Sequence, residues 1–413
     1  MRYGLIGEHL GHSYSKEIHE MLGRYTYELK ELAPDEIDAF MKEKDFEGIN
    51  VTIPYKQTVI PYLDEIDPAA KAIGAVNTIV NKGGRLYGYN TDYYGMRTLL
   101  SHKGFSIRGS KVLILGSGGT SKTAMAVLTD MGAASIYKVS RRAAEGTITY
   151  EEALLDHTDA DYIINTTPCG MYPNVDDEPI DIRMFSSLKG VADAIYNPLR
   201  TRLINRAQNG GSIGTGGLYM LVGQAIRAAE LFIGETLDAG QLDSVFNKII
   251  NAKENIVLVG MPGSGKSTIG RVLAGSLGME LIDTDAMIVE KAGCPITEIF
   301  ADKGEEYFRD LESEVIKEIS LKTHCIIATG GGAVLRNINV MNLKLNGQLY
   351  FLNREPENIS PTADRPLADD MTKVRSLYEY RLPIYTAAAD HTLDVINTPE
   401  YMAEQIRRIR CED

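Results

Sequence analysis

Eight consecutive residues, Gly260-Met261-Pro262-Gly263-Ser264-Gly265-Lys266-Ser267, satisfy the pattern G-x-x-x-x-G-K-[ST] at every fixed position. In such a loop the glycines let backbone N–H groups close around phosphate oxygens. The N-terminus of the following helix adds partial positive charge. Lys266 then reaches the β- and γ-phosphates of ATP, and Ser267 ligates Mg²⁺. Gly260, Gly263, Ser264, Gly265 and Thr268 complete the cradle. A second loop, Gly116-Ser117-Gly118-Gly119, has the G-x-G-G form of a dinucleotide-binding turn. Roughly 20 residues further on, an NAD enzyme carries an acidic residue for the ribose 2′-hydroxyl. Here that place holds Ser140-Arg141-Arg142. Two guanidiniums and a hydroxyl suit a 2′-phosphate, because arginine pairs with phosphate bidentately. The expected cofactor is therefore NADP(H) rather than NAD(H). One chain thus holds the residue types for phosphoryl transfer and for hydride transfer.

Both loops need a strand before them and a helix after them. Ile256-Val257-Leu258-Val259 reads as a buried strand, and Thr268 to Ala274 as a helix. The strand Lys111–Leu115 feeds the other loop. A helix is expected from Thr120 to Met131, and a second strand from Ser135 to Val139. Arg2–Ile6, Tyr162–Asn165, Glu280–Ile282, Cys325–Ala328 and Gln348–Leu352 read as further strands. Short apolar strands alternating with helices predict an α/β protein with mostly parallel sheets. Leu242–Ile250 reads as an amphipathic helix, and the polar patch Asn251-Ala252-Lys253-Glu254 as the linker between two parts.

Length and composition limit the alternatives. A chain of 413 residues, 44% hydrophobic and 24% charged, can fold as two or three globular domains. The net charge of −13 argues against nucleic acid or an anionic membrane as main partner. Anionic substrates must be caught by locally placed arginines. No apolar run approaches membrane-spanning length, and Met1–Gly7 has no signal core, so a cytoplasmic location is expected. The four cysteines make no C-x-x-C pair, which suits a reducing compartment. The seven histidines show no zinc-ligand spacing.

The first hundred residues carry softer signals. His12-Ser13-Tyr14-Ser15 sets two hydroxyls near a helix start. Asn50-Val51-Thr52-Ile53-Pro54-Tyr55-Lys56 ends a strand in a lysine-bearing loop. Ala75-Val76-Asn77-Thr78 and Asn90-Thr91-Asp92 add amides and a carboxylate. In this order they resemble shikimate dehydrogenase, through its S-x-S, N-V-T-x-P-x-K, A-V-N-T and N-T-D motifs. Tyr196-Asn197-Pro198 and the stretch Gly217 to Ala225 extend the match to about residue 250. The resemblance implies that Lys56 and Asp92 form the catalytic pair. Ser13, Ser15, Thr52, Asn77, Asn90 and Gln224 would bind the substrate's hydroxyls and carboxylate. Asn165, Thr166, Gly217 and Met220 would line the cofactor side. The loop Thr166-Thr167-Pro168-Cys169-Gly170 departs from the family, which often has smaller residues there.

Beyond the phosphate loop, Asp283-Thr284-Asp285 places two carboxylates just past a strand end. One can serve Mg²⁺ and the other can take a proton from an attacking hydroxyl. Phe308-Arg309-Asp310-Leu311-Glu312, Gly330-Gly331-Gly332, Arg365-Pro366-Leu367 and Arg381-Leu382-Pro383-Ile384-Tyr385 follow in order. This set resembles shikimate kinase over roughly residues 253–413. The resemblance implies Asp285 as base, Asp283 near Mg²⁺, and Arg309, Arg381, Gly331 and Gly332 around the substrate. Arg365 would come from a lid onto the transferring phosphate. The segment Glu357 to Asp364 departs from the family: it is short and lacks an arginine that many relatives carry.

The two resemblances together imply an N-terminal shikimate dehydrogenase-like part, 1–250, and a P-loop part of nucleotide-monophosphate-kinase type, 251–413. Within the first, residues 1–100 plus about 225–250 would form the substrate domain, and 101–224 a Rossmann domain for NADP. The expected activities are reduction of 3-dehydroshikimate to shikimate and phosphorylation of shikimate at the same oxygen. Three alternatives are kept: quinate as the first substrate, another small polyol as the second, or one half as a silent regulatory module. A homodimer is compatible with the sequence, which does not fix the oligomeric state.

Overall fold

The computed structural model describes residues 1–11, 13–359 and 370–412, with side chains through residue 410. The chain divides into two compact units, Met1–Ile249 and Ile250–Asp413.

The first unit contains two six-stranded sheets. One is built from β1 (Tyr3–Gly7), β2 (Glu28–Glu31), β3 (Gly48–Val51), β4 (Glu65–Ile66), β5 (Thr78–Lys82) and β6 (Arg85–Tyr89), in the order β2-β1-β3-β5-β6-β4. β1 lies parallel to β2 and β3, whereas β5 runs antiparallel to β3 and β6. Gly83 and Gly84 turn the β5–β6 hairpin with positive φ, which L-residues rarely adopt. The other sheet comprises β7 (Lys111–Leu115), β8 (Ser135–Ser140), β9 (Ile148–Thr149), β10 (Tyr162–Asn165), β11 (Gly190–Asp193) and β12 (Ile213–Thr215). Its order, β12-β11-β10-β7-β8-β9, is fully parallel and reverses direction between β7 and β10. That doubly wound order places a ligand crevice beyond the carboxyl ends of the strands at the switch point. The continuous apolar runs of β7 and β10 follow from burial on both faces.

Helix Thr91–His102 crosses helix Leu218–Ile233 backbone to backbone. A Cβ on Gly95 would lie 2.3 Å from the Met220 carbonyl oxygen. No side chain larger than hydrogen permits that approach, which also brings the Gln224 backbone nitrogen within 3.1 Å of the same point.

The second unit holds β13 (Asn255–Val259), β14 (Glu280–Asp283), β15 (Cys325–Ala328), β16 (Gly347–Asn353) and β17 (His391–Asp394). All are parallel, in the order β14-β15-β13-β16-β17. Helices bury apolar clusters on both faces, one around Val257, Ile327 and Phe351, the other around Leu258, Leu273 and Tyr350. Each expected strand is present. The expected polar linker takes another form: helix Gln241–Lys253 continues through Asn251, Ala252 and Lys253, and β13 begins at Asn255. Alanine and lysine favour a helix, so polarity alone did not end it. Among the described residues, no helix is long and apolar enough to cross a membrane.

Candidate active sites

In the first unit, the ammonium of Lys56 lies 2.6 Å from Asp92 Oδ2. Lys56 follows β3 in a loop that carries a cis Ile53–Pro54 bond. Asp92 stands in the first turn of helix Thr91–His102, where the dipole favours a carboxylate. Its side chain is 7% exposed, against 22% for Lys56. The pair lines a cavity of about 540 Å³ together with Ser13, Ser15, Thr52, Asn77 and Gln224. Thr166, Gly217 and Met220 line the same cavity. An ammonium held by a carboxylate can deliver a proton to a developing alkoxide and stabilise its charge.

Hydrogen bonds fix this wall. Asn77 Oδ1 accepts from the Thr91 backbone N–H at 2.7 Å, and Asn77 Nδ2 donates to Gln224 Oε1 at 3.2 Å. Asn50, which the motif reading left without a role, also lines the cavity. It accepts from Tyr27 Oη at 2.6 Å and donates to Thr78 Oγ1 at 2.9 Å. Behind it His19 stacks on Tyr27 at 4.0 Å, and burial lowers its pKa to about 3, so the ring is neutral.

Two residues expected at the ligand stand elsewhere. Asn90 is not in the cavity wall: its Oδ1 caps the helix by accepting from Tyr93 N–H, and its Nδ2 donates to the Ala75 carbonyl. Asn165 is fully buried, accepting from the Thr167 N–H and hydroxyl and donating to Asp193. It fastens the loop that presents Thr166 and Thr167. Asp193 accepts further bonds from Ile195 N–H and Thr201, while burial pushes its carboxyl up to about 7.

On the dinucleotide side, Gly116 and Ser117 join β7 to helix Gly119–Asp130, with Gly118 at its N-cap. Ser140 ends β8, and Arg141 and Arg142 follow it, both exposed. Among the described residues, neither guanidinium has a carboxylate partner, so both are available to a phosphate.

In the second unit the phosphate loop runs from β13 to helix Lys266–Leu277. Gly260, Gly263 and Gly265 adopt φ of 147°, 81° and 100°. Residues with side chains rarely adopt those values, so the loop's path depends on glycine at these three positions. Lys266 Nζ donates to the carbonyls of Gly260 and Met261 at 2.8 and 2.9 Å. Ser264 is buried behind the loop. Ser267 donates to Asp283 Oδ2 at 2.7 Å, joining the two groups expected near Mg²⁺. Among the described residues, no cluster of three acidic, histidine or cysteine side chains could hold a metal. A hydroxyl, one carboxylate, phosphate oxygens and water are the donor set that Mg²⁺ favours, so the residues present fit it.

Gly263, Gly265, Lys266, Ser267 and Thr268 open into a cavity of about 500 Å³, also lined by Asp283, Asp285, Arg309, Glu312, Arg381 and all three glycines 330–332. The glycines are set by contact. A Cβ on Gly330 would lie 2.6 Å from Asp285 Oδ1, one on Gly331 2.6 Å from Pro262, and one on Gly332 2.1 Å from Arg309 Nη1. Arg309 is 6% exposed and pairs with Glu312 at 2.9 Å and Glu305 at 3.0 Å. Arg381 donates to the Gly331 carbonyl at 2.9 Å, which Tyr385 also contacts. Burial raises the Glu312 carboxyl, against the pull of Arg309. Two arginines, a carboxylate and bare backbone thus face the phosphate cradle across one cavity, which suits a small anionic alcohol. Arg365 lies outside the described residues.

These sites define an NADP-dependent oxidoreductase joined to an ATP-dependent phosphotransferase. Residues 5–79 match the shikimate dehydrogenase substrate binding domain, and residues 262–410 match shikimate kinase. A shikimate dehydrogenase (NADP(+)) of Clostridium beijerinckii is 42% identical over 247 residues, covering 56% of this chain and 91% of that protein. The solved shikimate dehydrogenase 1 of Peptoclostridium difficile superposes with a TM-score of 0.56 at 37% identity, covering 60% of this chain and 98% of that one. The enzyme of Thermus thermophilus, solved with NADP(H) and shikimate, gives 0.54 at 28% identity, with 60% and 99% covered. The chain belongs to the shikimate dehydrogenase family and carries a shikimate kinase domain in its second unit.

Proposed function

We propose that the first unit reduces the C3 ketone of 3-dehydroshikimate to shikimate, and that the second phosphorylates the same C3 oxygen to give shikimate 3-phosphate. NADPH supplies the hydride, and ATP with Mg²⁺ the phosphoryl group. Lys56 donates the proton to the alkoxide, and Asp92 holds the ammonium in place. Ser13, Ser15, Thr52, Asn77 and Gln224 bind the substrate's hydroxyls and carboxylate. In the second unit Asp285 takes the proton of the attacking hydroxyl, while Arg309, Arg381 and the backbone at Gly331 and Gly332 hold the carboxylate and ring. Asp283 and Ser267 serve Mg²⁺, Lys266 the β- and γ-phosphates, and Arg365 the transferring group. The observation that carries the reading is one cavity that Asp285, the buried Arg309 and Arg381 and the phosphate loop line together, in a chain whose other cavity holds the Lys56–Asp92 pair. The free thiols of Cys169, Cys294 and Cys325 favour the cytoplasm as its location.

The test is one vessel with 3-dehydroshikimate, NADPH, ATP and Mg²⁺. NADPH oxidation is followed by absorbance, and products are identified by mass. Shikimate 3-phosphate is the expected end product. Shikimate without phosphate would refute the kinase half, and absence of NADPH oxidation the dehydrogenase half. Supplying quinate in the reverse direction separates the two candidate alcohols.

Arg141 and Arg142 are proposed to pair with the 2′-phosphate of NADPH. Replacing both with alanine should lower kcat/KM for NADPH by about 10- to 100-fold, the range of lost charge-assisted hydrogen bonds. Rates with NADH should change little. Initial rates with both cofactors decide it: equal losses would remove these arginines from the 2′-phosphate site.

A further inference from the structure

Arg354 has no place in any motif described above. It directly follows β16, whose neighbour β13 feeds the phosphate loop. The loop starts hard against β16: a Cβ on Gly260 would lie 2.7 Å from the Leu352 carbonyl oxygen. Arg354 therefore emerges beside the cradle, and it lines the second unit's cavity with Gly263, Gly265, Lys266 and Thr268. Its Nη1 reaches within 4.0 Å of the position a Cβ on Gly265 would occupy.

Its bonding differs from that of the other arginines across the cavity. Arg309 is held by Glu312 and Glu305, and Arg381 by the Gly331 carbonyl. Among the described residues, Arg354 has no carboxylate partner and no hydrogen bond, and its Nε is buried without an acceptor. A buried donor without an acceptor is costly. A guanidinium so placed fits an oxyanion bidentately.

We propose that Arg354 binds the polyphosphate of the nucleotide, adding a planar two-pronged cation over Gly265 to the point charge of Lys266. This rests on the reading that the second unit binds ATP. The residue acts on binding of the nucleotide, so its loss should appear in nucleotide affinity and in KM for ATP before kcat.

The experiment is calorimetric titration of the full chain with Mg·ADP and with inorganic tripolyphosphate, for wild type, Arg354→Gln and Arg354→Lys. Arg354→Gln should bind both about 10- to 100-fold more weakly. Arg354→Lys should recover part of that loss, because it restores charge without the fork. ADP affinity within twofold of wild type in Arg354→Gln would overturn the proposal and leave the ATP reading standing. Weakened ADP with unchanged tripolyphosphate would overturn it too, by moving the contact to the nucleoside. Failure of wild type to bind either ligand would bring down the ATP reading and the proposal together. Equal loss in Gln and Lys variants with a lowered unfolding temperature would overturn it as a packing effect.

Discussion

Lys56→Ala should slow NADPH-dependent reduction by roughly 10²–10⁴-fold, the range of general acid catalysis, while the same polypeptide continues to phosphorylate shikimate. The ammonium is the group at the cavity wall both charged and paired to a carboxylate at 2.6 Å. Its loss removes the proton and the positive charge that the developing alkoxide needs, and leaves Asp92 buried without its partner. Lys56→Gln separates these effects, since an amide can still hydrogen-bond Asp92 but delivers no proton at neutral pH. Equal slowing in both variants with an unchanged KM for 3-dehydroshikimate assigns the loss to the missing proton and charge rather than to an unpartnered Asp92. A rate within threefold of wild type in Lys56→Ala would remove Lys56 from the chemistry. Phosphorylation measured in the same preparation shows whether the damage stays in one activity.

What the sequence discloses depends on how local the physical requirement is. The phosphate loop is legible because positive φ at Gly260, Gly263 and Gly265 and the adjacent Lys266–Ser267 lie within one turn of chain. The parallel strands are legible because burial on both faces makes them continuous apolar runs. Asn90 and Asn165 show the limit. An amide that binds ligand and an amide that caps a helix or pins a loop look alike in a motif, and only the fold shows Asn90 accepting from Tyr93 and Asn165 donating to Asp193. Arg354 shows the converse. One arginine after a strand carries no pattern, and its place in the cavity arises from β16 lying beside β13. Glu312 stood in a recognised motif, yet its burial against Arg309 needed a helix face to be seen. The helical boundary at Asn251–Lys253 was hidden because polar residues occur on exposed helix faces as readily as in linkers.

Gly332→Ala should cost the kinase about as much as removing a substrate arginine, although it adds a single methyl group. The Cβ would fall 2.1 Å from Arg309 Nη1 and 2.4 Å from its Cζ and Nη2, so the guanidinium must leave the backbone against which it lies. Arg309 cannot move freely. Its Nη1 is tied to Glu312, which is fully buried, and its Nη2 to Glu305. Displacement breaks a buried pair, an effect worth about 3–5 kcal/mol, or roughly 10²–10⁴-fold in kcat/KM for shikimate where the whole effect falls on substrate binding. The loss should appear as a raised KM for shikimate. Mg·ADP affinity should stay at the wild-type value, since the three atoms nearest the added methyl group all belong to Arg309. A wild-type KM for shikimate in Gly332→Ala would show that Arg309 does not anchor the substrate. Loss of ADP binding together with shikimate binding would show that the methyl group disrupts the whole cavity. The raised KM is the expected pattern, because the displaced guanidinium leaves Glu312 and Glu305 for the cavity that the substrate must fill.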